Sequence, residues 1–295
     1  MLHIKNLHKS YGAFEVLRGL EMNVNTGDIY GFLGKNGCGK TTTMNIVSNI
    51  IPKDSGEINF GKENCKIGYL PETPSMFTYM NGYEYLDYIA SCCSYKDDKK
   101  KRIDEVINIV GMAEGGKRRI KGYSRGMNQR LGIAAAIFDH PDLLILDEPI
   151  NGLDPQGIAE IRNTILKLNR ENGKTIIISS HILEELSKIA THYGIIDSGK
   201  LIAELTPEEL SGKCESRIVI KVYDMEAACN LLHSINIHKF NIIDANTIHV
   251  YEHIEDSCQI NMALCKADIF VSSIWVEQAG LEEFFFNMTG GGKNA

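Results

Sequence analysis

The sequence predicts an α/β protein in which a parallel, helix-covered sheet surrounds a phosphate-binding turn and a small α+β domain follows. Three observations predict it. An apolar strand, Ile29 to Leu33, runs into a glycine-rich turn and then into helix-compatible sequence from Lys40 to about Ile50. Two more uninterrupted apolar runs, Leu143 to Leu146 and Thr175 to Ser179, flank an amphipathic stretch from about Ile158 to Asn169. Fully apolar strands alternating with a helix read as a sheet buried on both faces. Beyond Cys214 the pattern shortens to brief alternating runs, which suits a small separate domain.

The elements follow in order. From Leu2 to Tyr30, short apolar alternations interrupted by Gly12, Gly19 and Gly27 predict antiparallel strands joined by turns. Pro74 to Phe138 is mostly helical in pattern, and the charged run Asp97 to Arg102 reads as a solvated helix start. Thr206-Pro207-Glu208-Glu209 opens a helix with proline at its first position, whereas Ser211 to Ser216 reads as a polar loop. The boundary is therefore set at Cys214, giving domains 1–213 and 214–295. In the second, Arg217 to Val222, Ile248 to Tyr251 and Ile269 to Ile274 read as strands and Glu226 to Ser234 as a helix. Leu281 to Met288, with three consecutive phenylalanines, reads as a helix with one packed face.

Composition bounds the function. A chain of 295 residues, 43% hydrophobic and 23% charged, is an ordinary globular chain longer than one typical domain. A net charge of -7 argues against broad nucleic-acid binding, which needs clustered cations to release counterions. No leader and no long uncharged apolar run is present, so any membrane link is expected through a partner. The 8 cysteines lack C-x-x-C pairs and zinc-finger spacing, which fits reduced thiols in a cytosol. His249, His253, Cys258 and Cys265 likewise fit no standard metal site.

Gly34-Lys35-Asn36-Gly37-Cys38-Gly39-Lys40-Thr41 matches the phosphate-binding loop in full. Glycines let successive backbone N–H groups curl around phosphates, and the helix that follows presents its positive end. Lys40 supplies a cation to the β- and γ-phosphates, Thr41 offers a hydroxyl to Mg²⁺, and Thr42 reaches a neighbouring phosphate. Cys38 admits two readings. Lys40 and the helix N-terminus favour a thiolate there, while its small size suits a buried packing residue. Downstream, Leu143 to Leu146 ends in Asp147 and Glu148, two adjacent carboxylates at the edge where such folds hold ligands. Strand alternation would turn them to opposite faces, with Asp147 toward the metal's water shell and Glu148 toward the attacking water.

In order and spacing, Tyr11 to His181 resembles the ABC ATPase family, and the resemblance covers about the first 210 residues. It implies a P-loop ABC cassette with a RecA-like parallel core, an antiparallel β subdomain and a helical subdomain, binding ATP with Mg²⁺. Tyr11 matches the aromatic that stacks on adenine. Tyr123-Ser124-Arg125-Gly126-Met127 resembles the LSGGQ signature, which implies contact of Ser124 and Gly126 with the γ-phosphate bound by a partner cassette. Arg125 and Met127 depart from the commonest form and resemble bacterial drug and peptide-antibiotic exporters of the bacitracin and lantibiotic type. Asn151-Gly152-Leu153-Asp154 matches the D-loop, and His181 matches the switch histidine that contacts the γ-phosphate. Glu72 stands where the family usually carries the Q-loop glutamine, so a carboxylate there can bind Mg²⁺ and bias the attacking water, or repel the triphosphate.

The resemblance implies two cassettes sandwiching two ATPs head to tail, as a homodimer or with a related subunit, on the cytoplasmic face of a membrane beneath a separately encoded permease. Domain 214–295 would then be a dimer-contact or regulatory appendage. The alternative is a soluble ABC ATPase working on ribosomes or DNA, but such relatives usually carry two cassettes or long coiled coils, and this sequence has one cassette and no sustained heptads.

Overall fold

β1 (Leu2–Tyr11) buries Leu2, Ile4 and Leu7 along one face and turns at Gly12 into β2 (Phe14–Val24), with which it pairs antiparallel. β3 (Ile29–Leu33) is buried along its whole length and delivers the chain to the glycine-rich turn and α1 (Lys40–Val47). β4 (Ser55–Phe60) then returns to the free edge of β1, completing a three-stranded antiparallel sheet. This computed structural model describes residues 1–213 and 216–278, together with Phe285 and Met288.

After β5 (Ile67–Leu70) comes the helical stretch: α2 (Gly82–Cys92), α3 (Lys99–Ile109) and α4 (Arg125–Ala136). Asn81 and Glu84 cap α2 reciprocally, and Asp98 caps α3 through the Lys101 N–H. The charged run is not wholly solvated, however. Arg102 is 5% exposed and donates to the carbonyls of Ile137 and Phe138, closing the end of α4. A guanidinium suits that task because its several donors satisfy carbonyls that no helical N–H reaches.

β6 (Leu143–Leu146), α5 (Pro155–Arg170), β7 (Thr175–Ser180), α6 (Leu183–Ser187), β8 (His192–Asp197) and β9 (Lys200–Leu205) complete the first unit. Its main sheet runs β5-β6-β7-β3-β8-β9, parallel throughout except for the antiparallel β8–β9 pair. β8 and β9 escaped the sequence reading. β6 and β7 are fully buried, which is why they read as unbroken apolar runs.

α7 (Pro207–Lys213) begins at the expected proline. Two compact units result, Met1–Pro207 and Glu208–Ala295. The loop expected over Ser211 to Ser216 is a correction: Ser211 to Lys213 are helical and Ser216 opens the next strand, while the boundary residue Cys214 lies outside the described residues.

In the second unit, β10 (Ser216–Val222), α8 (Met225–Ser234), β11 (Phe240–Ile242), β12 (Thr247–Val250), α9 (Ser257–Lys266) and β13 (Val271–Gln278) form a split βαββαβ motif. Its antiparallel sheet runs β11-β12-β10-β13, and Ile218, Ile220 and Val222 pack with Leu232, Ile260 and Leu264. The sequence reading placed β10, α8, β12 and the first half of β13 and left β11 and α9 unassigned. The helix expected over 281–288 lies outside the described residues except for Phe285 and Met288, which are helical.

Candidate functional site

The phosphate-binding turn is built by steric demand at its glycines. Gly39 caps α1 at φ 116° and Gly37 has φ 80°, both in the region that side chains rarely adopt. Gly34 is required for space: a Cβ there would lie 2.4 Å from Cys38 Sγ and 2.7 Å from Ile196 Cγ2. Cys38 is thus an inward packing residue of the hydrophobic core, and burial pushes its thiol up against the opposing pull of Lys40. The thiolate reading is therefore corrected, because desolvation outweighs the nearby ammonium.

Lys40 is 6% exposed, and its Nζ donates to the Gly34 carbonyl at 2.7 Å and the Lys35 carbonyl at 3.3 Å. The same ammonium lies 3.5 Å from Glu148 Oε1. A cleft of about 440 Å³ opens above the turn, lined by Asn36, Gly37, Gly39 and Lys40 to Thr42, and by Glu72, Glu148 and Asn151 opposite.

The two carboxylates after β6 diverge, though not by strand alternation. β6 ends at Leu146, and Glu148 takes φ 47°, so a left-handed turn separates them. Such a conformation costs about 1–3 kcal/mol, which the burial of Leu143 to Leu146 more than offsets at about 1.5–3 kcal/mol per side chain. Ser179 on β7 ties both down: its hydroxyl donates to Asp147 Oδ1 at 2.5 Å and accepts the Glu148 N–H at 2.8 Å. Asp147 is fully buried, and its Oδ2 has no hydrogen-bond partner. A buried lone carboxylate oxygen is costly unless a cation or bound water meets it.

His181 follows β7 and shares a hydrogen bond of 2.9 Å between its Nδ1 and Glu148 Oε2. Glu72 Oε1 accepts from Asn151 Nδ2 at 3.2 Å, and the Glu72 carbonyl accepts from Gln129 Nε2 at 3.0 Å. Lys40 and His181 thus meet at Glu148, and Glu72 reaches it through Asn151, whose backbone N–H donates to the Glu148 carbonyl at 3.1 Å.

Other expected residues lie elsewhere. Ser124 caps α4 by accepting the Met127 N–H, and it lines a second cleft of about 340 Å³ with Arg125, Gly126, Gly152 and Asp154. Tyr11 is 52% exposed at the end of β1, with Lys9 Nζ 5.6 Å from its ring centre. The apolar residues lining the first cleft are Phe14 and Val16 across the hairpin, which the sequence reading missed. An exposed aromatic just past a turn was the available signal for Phe14.

A parallel sheet, a glycine turn gripping a buried lysine, and two divergent carboxylates at the sheet edge define a nucleoside-triphosphate hydrolase of the P-loop type. Residues 17–151 match the sequence profile of the ABC transporter family. The bacitracin transport ATP-binding protein BcrA of Bacillus licheniformis is 38% identical, the alignment covering 97% of this chain and 96% of that protein. The lantibiotic transport ATP-binding protein SrtF of Streptococcus pyogenes is 41% identical over 69% of this chain and 90% of its own. Among solved structures, CbiO1 of a Clostridium perfringens ABC transporter complex superposes with a TM-score of 0.65 at 26% identity, covering 72% of this chain and 90% of that one. The chain belongs to the ABC transporter ATP-binding family, and it is an ATPase whose hydrolysis is coupled to transport.

Proposed function

We propose that this chain powers export of a peptide antibiotic or drug through a separate membrane permease, hydrolysing ATP within a closed pair of cassettes. The observation that carries the catalytic assignment is the convergence of Lys40 and His181 on the two oxygens of Glu148 at the mouth of the phosphate-binding turn. Backbone amides of 36–41 and Lys40 hold the β- and γ-phosphates, and Glu148 orients the attacking water and takes its proton as ATP becomes ADP and phosphate. His181, held on Glu148, is placed to follow the γ-phosphate as it leaves.

Mg²⁺ fits the donors present. The unpartnered Asp147 Oδ2 calls for a cation, and Thr41 and Glu72 add oxygen donors along the cleft. Among the described residues no three His, Cys, Asp or Glu side chains gather into a metal cage. That accords with an ion that keeps waters and phosphate oxygens as ligands. Bound there, Mg²⁺ would neutralise phosphate charge, while Thr41 and Asp147 hold it.

Two considerations support the assembly. Ser124 and Gly126 line a cleft that shares no residue with the Lys40 cleft, so one chain does not line a single cleft with both. A head-to-tail pair does. No helix among the described residues is long and apolar enough to cross a membrane, so coupling requires a partner that crosses it. We place the chain on the cytoplasmic face, with the unit from Glu208 as a dimer-contact or regulatory appendage. The names of BcrA and SrtF support an antibiotic cargo. Co-purification from membranes tests the reading directly: a stoichiometric integral membrane protein is expected, and capture of ribosomes or DNA instead would favour the soluble alternative.

A further inference from the structure

We propose that His233 and His238 form a binding site for a divalent transition-metal ion of the zinc and nickel class, held by their two Nδ1 atoms at the end of α8. Both residues belong to the second unit, and neither lines the nucleotide cleft, so the site does not depend on the transport reading.

The two imidazoles meet through the same nitrogen. His233 Nδ1 lies 3.2 Å from His238 Nδ1, with the ring centres 5.5 Å apart. A hydrogen bond at that distance requires that one nitrogen carry a proton and the other offer a lone pair. A metal ion can take the place of that proton. Two imidazole nitrogens, each about 2.0–2.1 Å from a tetrahedral ion, stand about 3.3–3.4 Å apart, so these atoms already have nearly the spacing of two ligands of one ion. Each ring has only to turn about its terminal torsion, which is soft in histidine. Both side chains are exposed, so water can complete the shell. The interval of four residues between them also lies within the spacing at which histidine pairs hold zinc. Imidazole nitrogen selects zinc, nickel and their neighbours over Mg²⁺, which prefers oxygen.

The backbone builds this pair before any ion arrives. α8 ends in a turn closed by two bonds: the Asn236 N–H donates to the His233 carbonyl at 3.1 Å and the Ile237 N–H to the Leu232 carbonyl at 2.9 Å, with Asn236 left-handed at φ 61°. Leu232 and Ile237, each the residue before one of the histidines, are buried in the core of the second unit and anchor the turn. Glu252, just past β12, accepts the N–H groups of His238 and Lys239, and the Phe240 ring lies 5.1 Å from that of His233. Ligands held this way lose little freedom on binding. Charge favours a cation as well. The C-terminal end of α8 is the negative end of a helix. The amide bonds from Lys239 and His238 hold the Glu252 carboxyl below the usual carboxylate range, so it stays ionised beside the pair. Lys239, the cation next in sequence, has its ammonium 5.8 Å from the Tyr251 ring centre. Among the described residues no third His, Cys, Asp or Glu side chain closes a cage, so two imidazoles and water make an exchangeable site rather than a sealed structural one. An ion bound there ties the end of α8 to the start of β11.

The test uses the full chain, free of any affinity tag, with Ni²⁺ as the probe in a nucleotide-free, non-coordinating buffer. Calorimetry is expected to show a Ni²⁺ site that His233→Gln and His238→Gln each weaken at least about tenfold, because loss of either nitrogen removes the chelate. His253→Gln, which changes an exposed histidine 3.4 Å from Asp256, should leave the affinity unchanged. Ni²⁺ should also raise the urea midpoint of the parent and not that of either variant. Zn²⁺ should compete for the site, and a large excess of Mg²⁺ should not. Equal affinity in the parent and both variants, a loss in one variant alone, or displacement by Mg²⁺ would overturn the proposal. A second readout needs no substitution and so does not depend on how the variants fold. In proton NMR of the parent, substoichiometric Ni²⁺ should broaden the imidazole signals of two histidines ahead of the rest, and even broadening across all 9 would refute a shared site.

Discussion

Lys40 Nζ lies 3.5 Å from Glu148 Oε1, with both side chains more than nine-tenths buried. The cation proposed to grip phosphate is thus in contact with the carboxylate proposed to activate water, and on that reading incoming phosphate oxygens compete with Glu148 for the same ammonium. Glu148→Gln is expected to slow hydrolysis about 10²–10⁴-fold, while ATP binding, followed by calorimetry, tightens several-fold. Weaker binding in that variant would show that no such competition operates.

Glu72 connects a loop and a helix, through its carboxylate to Asn151 and through its carbonyl to Gln129 on α4. Glutamine keeps an oxygen that can accept from Asn151, so Glu72→Gln should retain hydrolysis within about threefold of the parent, since a neutral hydrogen bond nets only about 0.5–1.5 kcal/mol. Near-complete loss of phosphate release would show that the charge itself is needed, most simply for the metal.

Cys38 should be a slow thiol. Burial raises its pKa, so the thiol stays protonated at neutral pH, and reactive thiolate grows only as pH climbs above the ordinary value of about 8.5. In a chain carrying Cys38 as its sole cysteine, disulfide-exchange labelling at pH 8 should run at least tenfold slower folded than in denaturant. Equal rates would refute the packing assigned to it.

The Tyr30 hydroxyl donates to Glu204 Oε1 at 2.8 Å, and burial first and Glu204 second push the phenol well above its ordinary range. The folded pKa is raised, so the contribution to stability is complete below the unfolded value of about 10 and is lost as pH rises from there toward the folded one. Urea unfolding should therefore show a stability decline above about pH 10 that Tyr30→Phe reduces. At pH 8 that variant should lose about 1–2 kcal/mol, because Glu204 keeps only its bonds from Asn23.

The phosphate-binding turn was legible because its glycines answer to local geometry: left-handed backbone at Gly37 and Gly39, and contact with Cys38 at Gly34. β6 and β7 were legible because complete burial writes itself as unbroken apolar sequence. Arg102 was misread as solvated because a charged side chain carries no local mark of the distant carbonyls it serves, here those of Ile137 and Phe138. β11 was missed because its three residues are too few for a period to stand out.

By itself the sequence determined the phosphate-binding chemistry and the family, because those depend on residue types at short, fixed spacings. Tertiary structure alone decided that Ser179 ties down both carboxylates, that His181 and Lys40 share Glu148, that Cys38 is packed rather than ionised, and that Ser124 and Arg125 line a different cleft. The physical reason is common to all four. Desolvation and hydrogen bonding depend on which distant segments the sheet order brings together, and that order is not written in any local stretch of chain.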